Sequence, residues 1–246
     1  MNKQFVKPGS IVRHIWSEED MILFIFAGAS AEFALHTSVD WLYFTGKLPK
    51  DPLGRMLSTV HYAKQIVFTS DEKARKTISY IRSIHSKVEE SRHDKIPDWA
   101  YRDVLDMLID YSIRSFEYID RPLKLDEKEE IVKVFCEVGL GMGLLNLPSN
   151  FETWEIARKN TLEKNFRISN YTQDLFKQYK NHLGCIRYLL LKQIQSVLLP
   201  QTLAKKLRLN SSKWIGAIIK FYKYCKYLHV ESRLVSMLLP TQFKLK

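Results

Sequence analysis

The stretch GRMLSTVHYAKQIVFTSDEKARKTISYIRSIHSKV, Gly54 to Val88, decides how the chain is read. Its apolar residues recur at three- and four-residue steps, the period of a helix and not of a strand. Thr69-Ser70-Asp71 interrupts the run, so the stretch predicts two helices joined by a short turn. Arg55 and Thr59 lie four apart on the first, with Ser58 beside them, and Arg82 and His85 lie three apart on the second. Residues at those spacings are neighbours on a helix surface. Ile78, Ile81, Ile84 and Val88 mark the buried stripe of the second helix, which puts His85 on the core side. One imidazole is aimed inward.

Two roles fit that imidazole. The commoner is a core histidine whose ring nitrogens are satisfied by neighbours, and an isolated His has no sequence partner to fix a metal geometry. The other is a ligand role, and Arg82 speaks for it. A buried guanidinium left unpaired costs on the order of several kcal/mol, so Arg82 calls for an anion. A side-chain carboxylate would serve, and so would the propionate of a haem whose iron is held by His85. A non-haem centre using His85 and Glu89 supplies two ligands where a facial triad needs three.

Outward from this stretch the chain keeps the same period. With nine glycines and eight prolines in 246 residues and no composition break, it predicts an all-α fold with one large core. Residues 1–16 read as an N-terminal arm with Pro8-Gly9 as breakers, 17–200 as the helical domain, and 201–246 as a basic, aromatic-rich helical extension. Ser17 is the predicted N-cap of a helix to about Val39, apolar nearly all round and therefore central. Glu32 and His36 on it predict a mutually satisfying buried pair, and Asp40 is a candidate carboxylate at a pocket mouth. Phe44 to Pro52 is a loop broken by two prolines.

Farther along, Asp98 to Ile119 is a helix whose Asp106, Asp110 and Arg114 predict a solvated charged face. Gly139-Leu-Gly141-Met-Gly143 follows a helix rather than a strand, so it ends that helix or permits close packing and is no nucleotide loop. Ser149 and Glu152 form a predicted capping box, and Tyr171 to Leu199 a long final core helix.

Three separated cysteines, Cys136, Cys185 and Cys225, make no disulfide framework and fit a reducing compartment. The N-terminus lacks a signal-peptide pattern and the apolar run Met21 to Leu35 is too short to span a bilayer, so a cytoplasmic protein is expected. From Lys177 onward there are fourteen Lys or Arg against one acid, Glu231. That balance of +13 exceeds the whole chain's +11, so residues 1–176 carry −2. Lysines 213, 220, 223 and 226 interleave with aromatic and aliphatic residues across 212–228. This suits a helix lying on an anionic membrane surface, or equally a terminal helix packed on the domain with a basic solvent edge. No nucleic-acid recognition motif accompanies the charge.

The residues quoted first resemble the catalytic domain shared by the rubber oxygenases, or latex clearing proteins, and the mycophenolic-acid-pathway oxygenases. Arg55-Met-Leu-Ser58-Thr59 and Arg82-Ser-Ile-His85 match the family's Arg-x-x-x-Thr and Arg-x-x-His motifs in order and spacing. LHTSVD at 35–40, DPLGR at 51–55 and IPDWAYRDVLDMLIDYSIRSFEYIDRPL at 96–123 also look like the family, and the likeness spans residues 15 to 200.

The resemblance implies a b-type haem between helices with His85 as proximal iron ligand, and Arg55 and Thr59 near the pocket. Arg55 and Arg82 would anchor propionates, and Thr59 would donate a hydrogen bond within the pocket. Ser58 stands where rubber-cleaving members carry a distal Lys, and Glu89 where they carry a second Arg. Rubber is therefore not the expected substrate. The expected function is a haem-dependent oxygenase using dioxygen on an apolar, unsaturated lipid or isoprenoid-like molecule. The alternative is a non-catalytic helical protein that binds haem or lipid, or sits on a membrane, and keeps the fold.

Overall fold

A computed structural model of the chain describes residues 3–46 and 50–227. Among these residues the fold is all-α, and the only β-type pairings are isolated bridges between Gln4 and Ser70 and between His36 and Phe166. Helices α1 (Ile11–Ser17), α2 (Glu19–Leu35) and α3 (Val39–Phe44) come first. The quoted stretch supplies α4 (Pro52–Val67) and α5 (Asp71–Arg92). Then follow α6 (Asp98–Ile119), α7 (Leu125–Gly141), α8 (Phe151–Lys164), α9 (Asn170–Leu198), α10 (Gln201–Lys206) and α11 (Lys213–Tyr227).

Central placement of α2 follows from its composition: Met21, Ile22, Ile25, Ala31 and Leu35 are buried on several sides, and it packs chiefly against α6 and α9. The predicted helix from Ser17 to Val39 is divided differently. Ser10 caps α1 by accepting from Val12 N at 3.1 Å, so the stretch read as an arm carries a helix that buries Ile11, Val12, Ile15 and Trp16. Ser17 is the last residue of that helix and Glu18 precedes α2. Extended backbone at His36 ends α2, where Thr37 N and Leu35 O bond the loop around Asn165 to Arg167.

Helices α4 and α5 form the predicted pair. Asp51 caps α4 by accepting from Gly54 N at 2.8 Å, with Pro52 opening the helix. Acidic Asp71 and Glu72 open α5 and pair with Arg75 and Lys76 one turn on. The capping box of α8 is Asn150 with Thr153, one residue beyond the predicted Ser149 and Glu152. Part of the proline-rich loop, residues 47–49, lies outside the described residues, as does Leu228 at the end of the basic segment.

The long α9 is broken inside. Gly184 has φ +73° and ψ 171°, and nothing lies within 4 Å of where a Cβ would stand. That conformation is open essentially to glycine alone. Residues before it, Thr172, Leu175 and Tyr179, anchor in the core; those after it form one wall of the cavity described next. No helix among the described residues is long and apolar enough to cross a membrane.

Candidate functional site

Between α2, α4, α5, α6, α7 and α9 lies a cavity of about 550 Å³ with a largely apolar lining. Ligand pockets typically span roughly 300–1,000 Å³. Phe26, Phe33, Leu105, Met107, Leu108 and Phe135 are among its aromatic and aliphatic lining residues. Arg55, Ser58, Thr59 and His85 all line it, so the two helices of the opening stretch bring their polar residues to one space. Arg82 is not on its wall.

His85 is half-buried, with its ring centroid 5.3 Å from that of Tyr101. Burial and the neighbouring Arg55 push its pKa down to about 4, against the opposing pull of Glu89. The ring is therefore neutral near pH 7 and has a free nitrogen lone pair. Its Nδ1 is buried with no hydrogen-bond partner. A core histidine with both nitrogens satisfied is not what the fold builds here.

Two arginines, Arg55 and Arg187, line the cavity, and Arg55 is the one on the opening stretch. Burial lowers its pKa from the ordinary arginine value, and no carboxylate acts against that shift. Ser58 Oγ and Thr59 Oγ1 both donate to the Arg55 carbonyl, at 2.8 and 3.1 Å. Each hydroxyl proton is thereby used on the helix's own backbone, which leaves lone pairs as acceptors.

Arg82 departs from its sequence reading as a buried guanidinium in need of an anion. It is exposed, and Nη1 donates to the carbonyl of Met142 at the end of α7. Close approach there depends on the glycines ending that helix: a Cβ on Gly143 would stand 2.7 Å from Arg82 Nη1, and one on Gly141 would meet Ile78 at 2.9 Å. The glycine run is thus a packing device. Glu89 accepts from Ile96 N at 3.0 Å and Tyr101 Oη at 3.2 Å, tying the α5–α6 turn together beside His85. Among the described residues no group of three His, Cys, Asp or Glu side chains could hold a metal ion.

The acids read as a solvated face of α6 are instead buried in a polar seam that sequence reasoning missed. Glu32 and His36 do not pair with each other. Glu32 Oε2 accepts from Arg158 Nη2 and Tyr111 Oη, both at 2.7 Å, and Arg158 also reaches Asp110 at 3.1 Å. His36 Nε2 bonds Asp103 Oδ2 at 2.9 Å, and Asn165 Nδ2 donates to the same oxygen at 2.6 Å. Asp106 accepts from Trp154 Nε1 at 2.8 Å. Burial outweighs the nearby Arg158 and pushes its carboxyl pKa up to about 7. Asp40, the candidate at the pocket mouth, pairs with Arg92 at 2.7 Å, and the same guanidinium stacks 4.0 Å from the Trp41 ring.

No curated protein and no solved structure gave a significant match to this chain. The sequence model of the family described as "ER-bound oxygenase mpaB/B'/Rubber oxygenase, catalytic domain" matches residues 15–223. That span contains every residue lining the cavity, and the chain belongs to this oxygenase catalytic-domain family.

Proposed function

We propose that the cavity holds one b-type haem with His85 as its axial ligand, and that the protein is a haem-dependent oxygenase acting on an apolar, unsaturated lipid or isoprenoid-like molecule. The observation that carries this reading is His85 itself: a neutral imidazole on the wall of a large apolar cavity, beside an arginine that no carboxylate neutralises. Among the described residues His85 belongs to no group of three metal-ligating side chains, which suits a cofactor that brings its own four equatorial nitrogens better than a non-haem centre.

Family membership supplies the coarser statement, an oxygenase with dioxygen and a small molecule as reactants. When bound, the iron porphyrin would supply the activation of dioxygen. The chain's own residues would do the rest. Arg55 would pair with a propionate, which would also end its isolation in the apolar wall. Arg82 holds the end of α7 against α5 one turn from His85 and keeps further N–H donors for a second carboxylate. Ser58 and Thr59 would present acceptor lone pairs to the reacting space, and the aromatic and aliphatic lining would exclude water and seat an apolar chain.

One observation favours the non-catalytic alternative. Both hydroxyls contributed by α4 direct their protons at the Arg55 carbonyl, and Ser58 brings no ammonium group, so α4 turns no hydroxyl or ammonium donor of residues 58 and 59 into the cavity. The two readings separate on turnover. The first experiment is an absorption spectrum of the protein as isolated and after haem addition, oxidised, reduced and with carbon monoxide, beside His85→Ala. The expected result is a stoichiometric Soret band that shifts with carbon monoxide and is lost in His85→Ala at unchanged far-ultraviolet circular dichroism. A variant with the wild-type spectrum would remove His85 from the proposal. Oxygen uptake with unsaturated lipids then separates an oxygenase from a carrier.

A further inference from the structure

Among the described residues helix α11 packs on one side. Ile215, Ile219 and Tyr222 are buried against the body, Tyr222 Oη donates to Asp20 at 2.7 Å, and Lys226 Nζ bonds the same carboxylate at 2.8 Å. A terminal helix so anchored is expected to turn polar residues to solvent. This one turns out Trp214, Ile218, Phe221 and Tyr224, with Phe221 62% and Tyr224 60% exposed. Trp214, Ile218 and Phe221 stand at i, i+4 and i+7, so they form one stripe along the helix. Lys220 is exposed beside that stripe, and no acid occurs between residues 213 and 227.

Two further features adjoin this stripe. Ser212 N, just before α11, donates to Gln193 Oε1 at 3.0 Å, which seats the start of α11 on the second half of α9. Leu189 and Ile186 lie one and two turns back from Gln193 on that face of α9, 56% and 86% exposed. The adjoining side of the same segment, including Leu190, Leu191 and Ile194, lines the cavity. Beside the junction is an open cleft of about 690 Å³ whose polar lining includes Gln201, Lys205, Arg208, Asn210 and Ser211 and contains no acid.

We propose that this surface docks on an anionic phospholipid bilayer. The aliphatic and aromatic side chains of α11 and outer α9 enter the acyl boundary, and the Lys205–Arg208 cleft takes lipid phosphate. Interfacial helices combine such an apolar stripe with flanking lysines, and the +13 balance beyond residue 176 gives the matching long-range attraction. A second copy of the chain is disfavoured as occupant because it would bring the same excess of positive charge face to face. Nucleic acid has use for the cations and none for exposed Ile186, Leu189 and Ile218. The proposal does not depend on haem.

Flotation of the full chain with phosphatidylcholine vesicles, with and without phosphatidylserine, tests it. The expected result is salt-sensitive binding only when phosphatidylserine is present. A double change of Ile218 and Phe221 to Ser, which removes apolar area from the acyl boundary, and separately Lys205→Glu with Arg208→Glu, which reverses two charges, should each weaken binding at least tenfold. Circular dichroism and thermal unfolding of these surface variants should match the wild type. Absence of binding to phosphatidylserine vesicles would overturn the proposal, as would binding that both double variants retain. Self-association or RNA binding in place of vesicle binding, abolished by the same changes, would overturn it too.

Discussion

Asp106 offers a sharp test of the polar seam. Its carboxyl is buried beside Asp103 and Asp110, and its pKa rises from the ordinary 3.8 to about 7 with burial as the first cause. A carboxyl whose folded pKa is raised contributes stability that is fully present below its unfolded pKa and lost as pH climbs through the folded one. Roughly three units at about 1.36 kcal/mol each make that loss about 4 kcal/mol between pH 4 and pH 8. Asp106→Asn removes the titration while its Oδ1 still accepts from Trp154 Nε1. Urea unfolding of both proteins at unit steps from pH 4 to 8 should show similar stability at the acid end. By pH 8 the variant should be the more stable by several kcal/mol. Parallel stability curves for the two proteins would refute the reasoning, since they would mean that Asp106 titrates normally in the folded chain.

Other changes test the same core from different sides. Arg158→Met keeps the bulk of a fully buried side chain but leaves Glu32 and Asp110 without their shared cation; it should cost on the order of 3–5 kcal/mol in urea unfolding at pH 7. Gly28→Ala would place a Cβ 2.2 Å from Tyr111 Cδ1, displacing a ring whose hydroxyl bonds Glu32. Overpacking of this kind costs roughly 1–3 kcal/mol and should lower the melting temperature; an unchanged value would show that Tyr111 has room to move.

Much of the site was legible because it depends on local spacing. Arg55, Ser58, Thr59 and His85 reach one cavity since each sits at a helical interval on one of two consecutive helices. Arg82 shares that spacing, yet its destination was set by glycines sixty residues on that let α7 end against it. The seam was unreadable for a related reason. Arg158 lies 126 residues from Glu32 and 48 from Asp110, and no local pattern announces such a partner. A usable signal did exist on α6: Leu105, Ile109, Ile113 and Phe116 form one apolar stripe and Met107 and Tyr111 a second, so apolar side chains flank Asp106 and Asp110 on both sides. The same holds for α1, where Ser10 precedes an Ile11, Val12, Ile15, Trp16 pattern that is a capped amphipathic turn.

The break at Gly184 bears on how such a protein diversifies. Because the helix restarts there, the rotational setting of the wall from Leu190 to Ile194 is fixed by one pair of backbone torsions. Shifting the glycine by a single position would turn the following segment by about 100°. Residues such as Ile186 and Leu189 would then exchange places with those now facing inward. A lineage could in this way reshape the volume it encloses through an indel at one loop-like point, while keeping every residue that lines the cavity from the other helices.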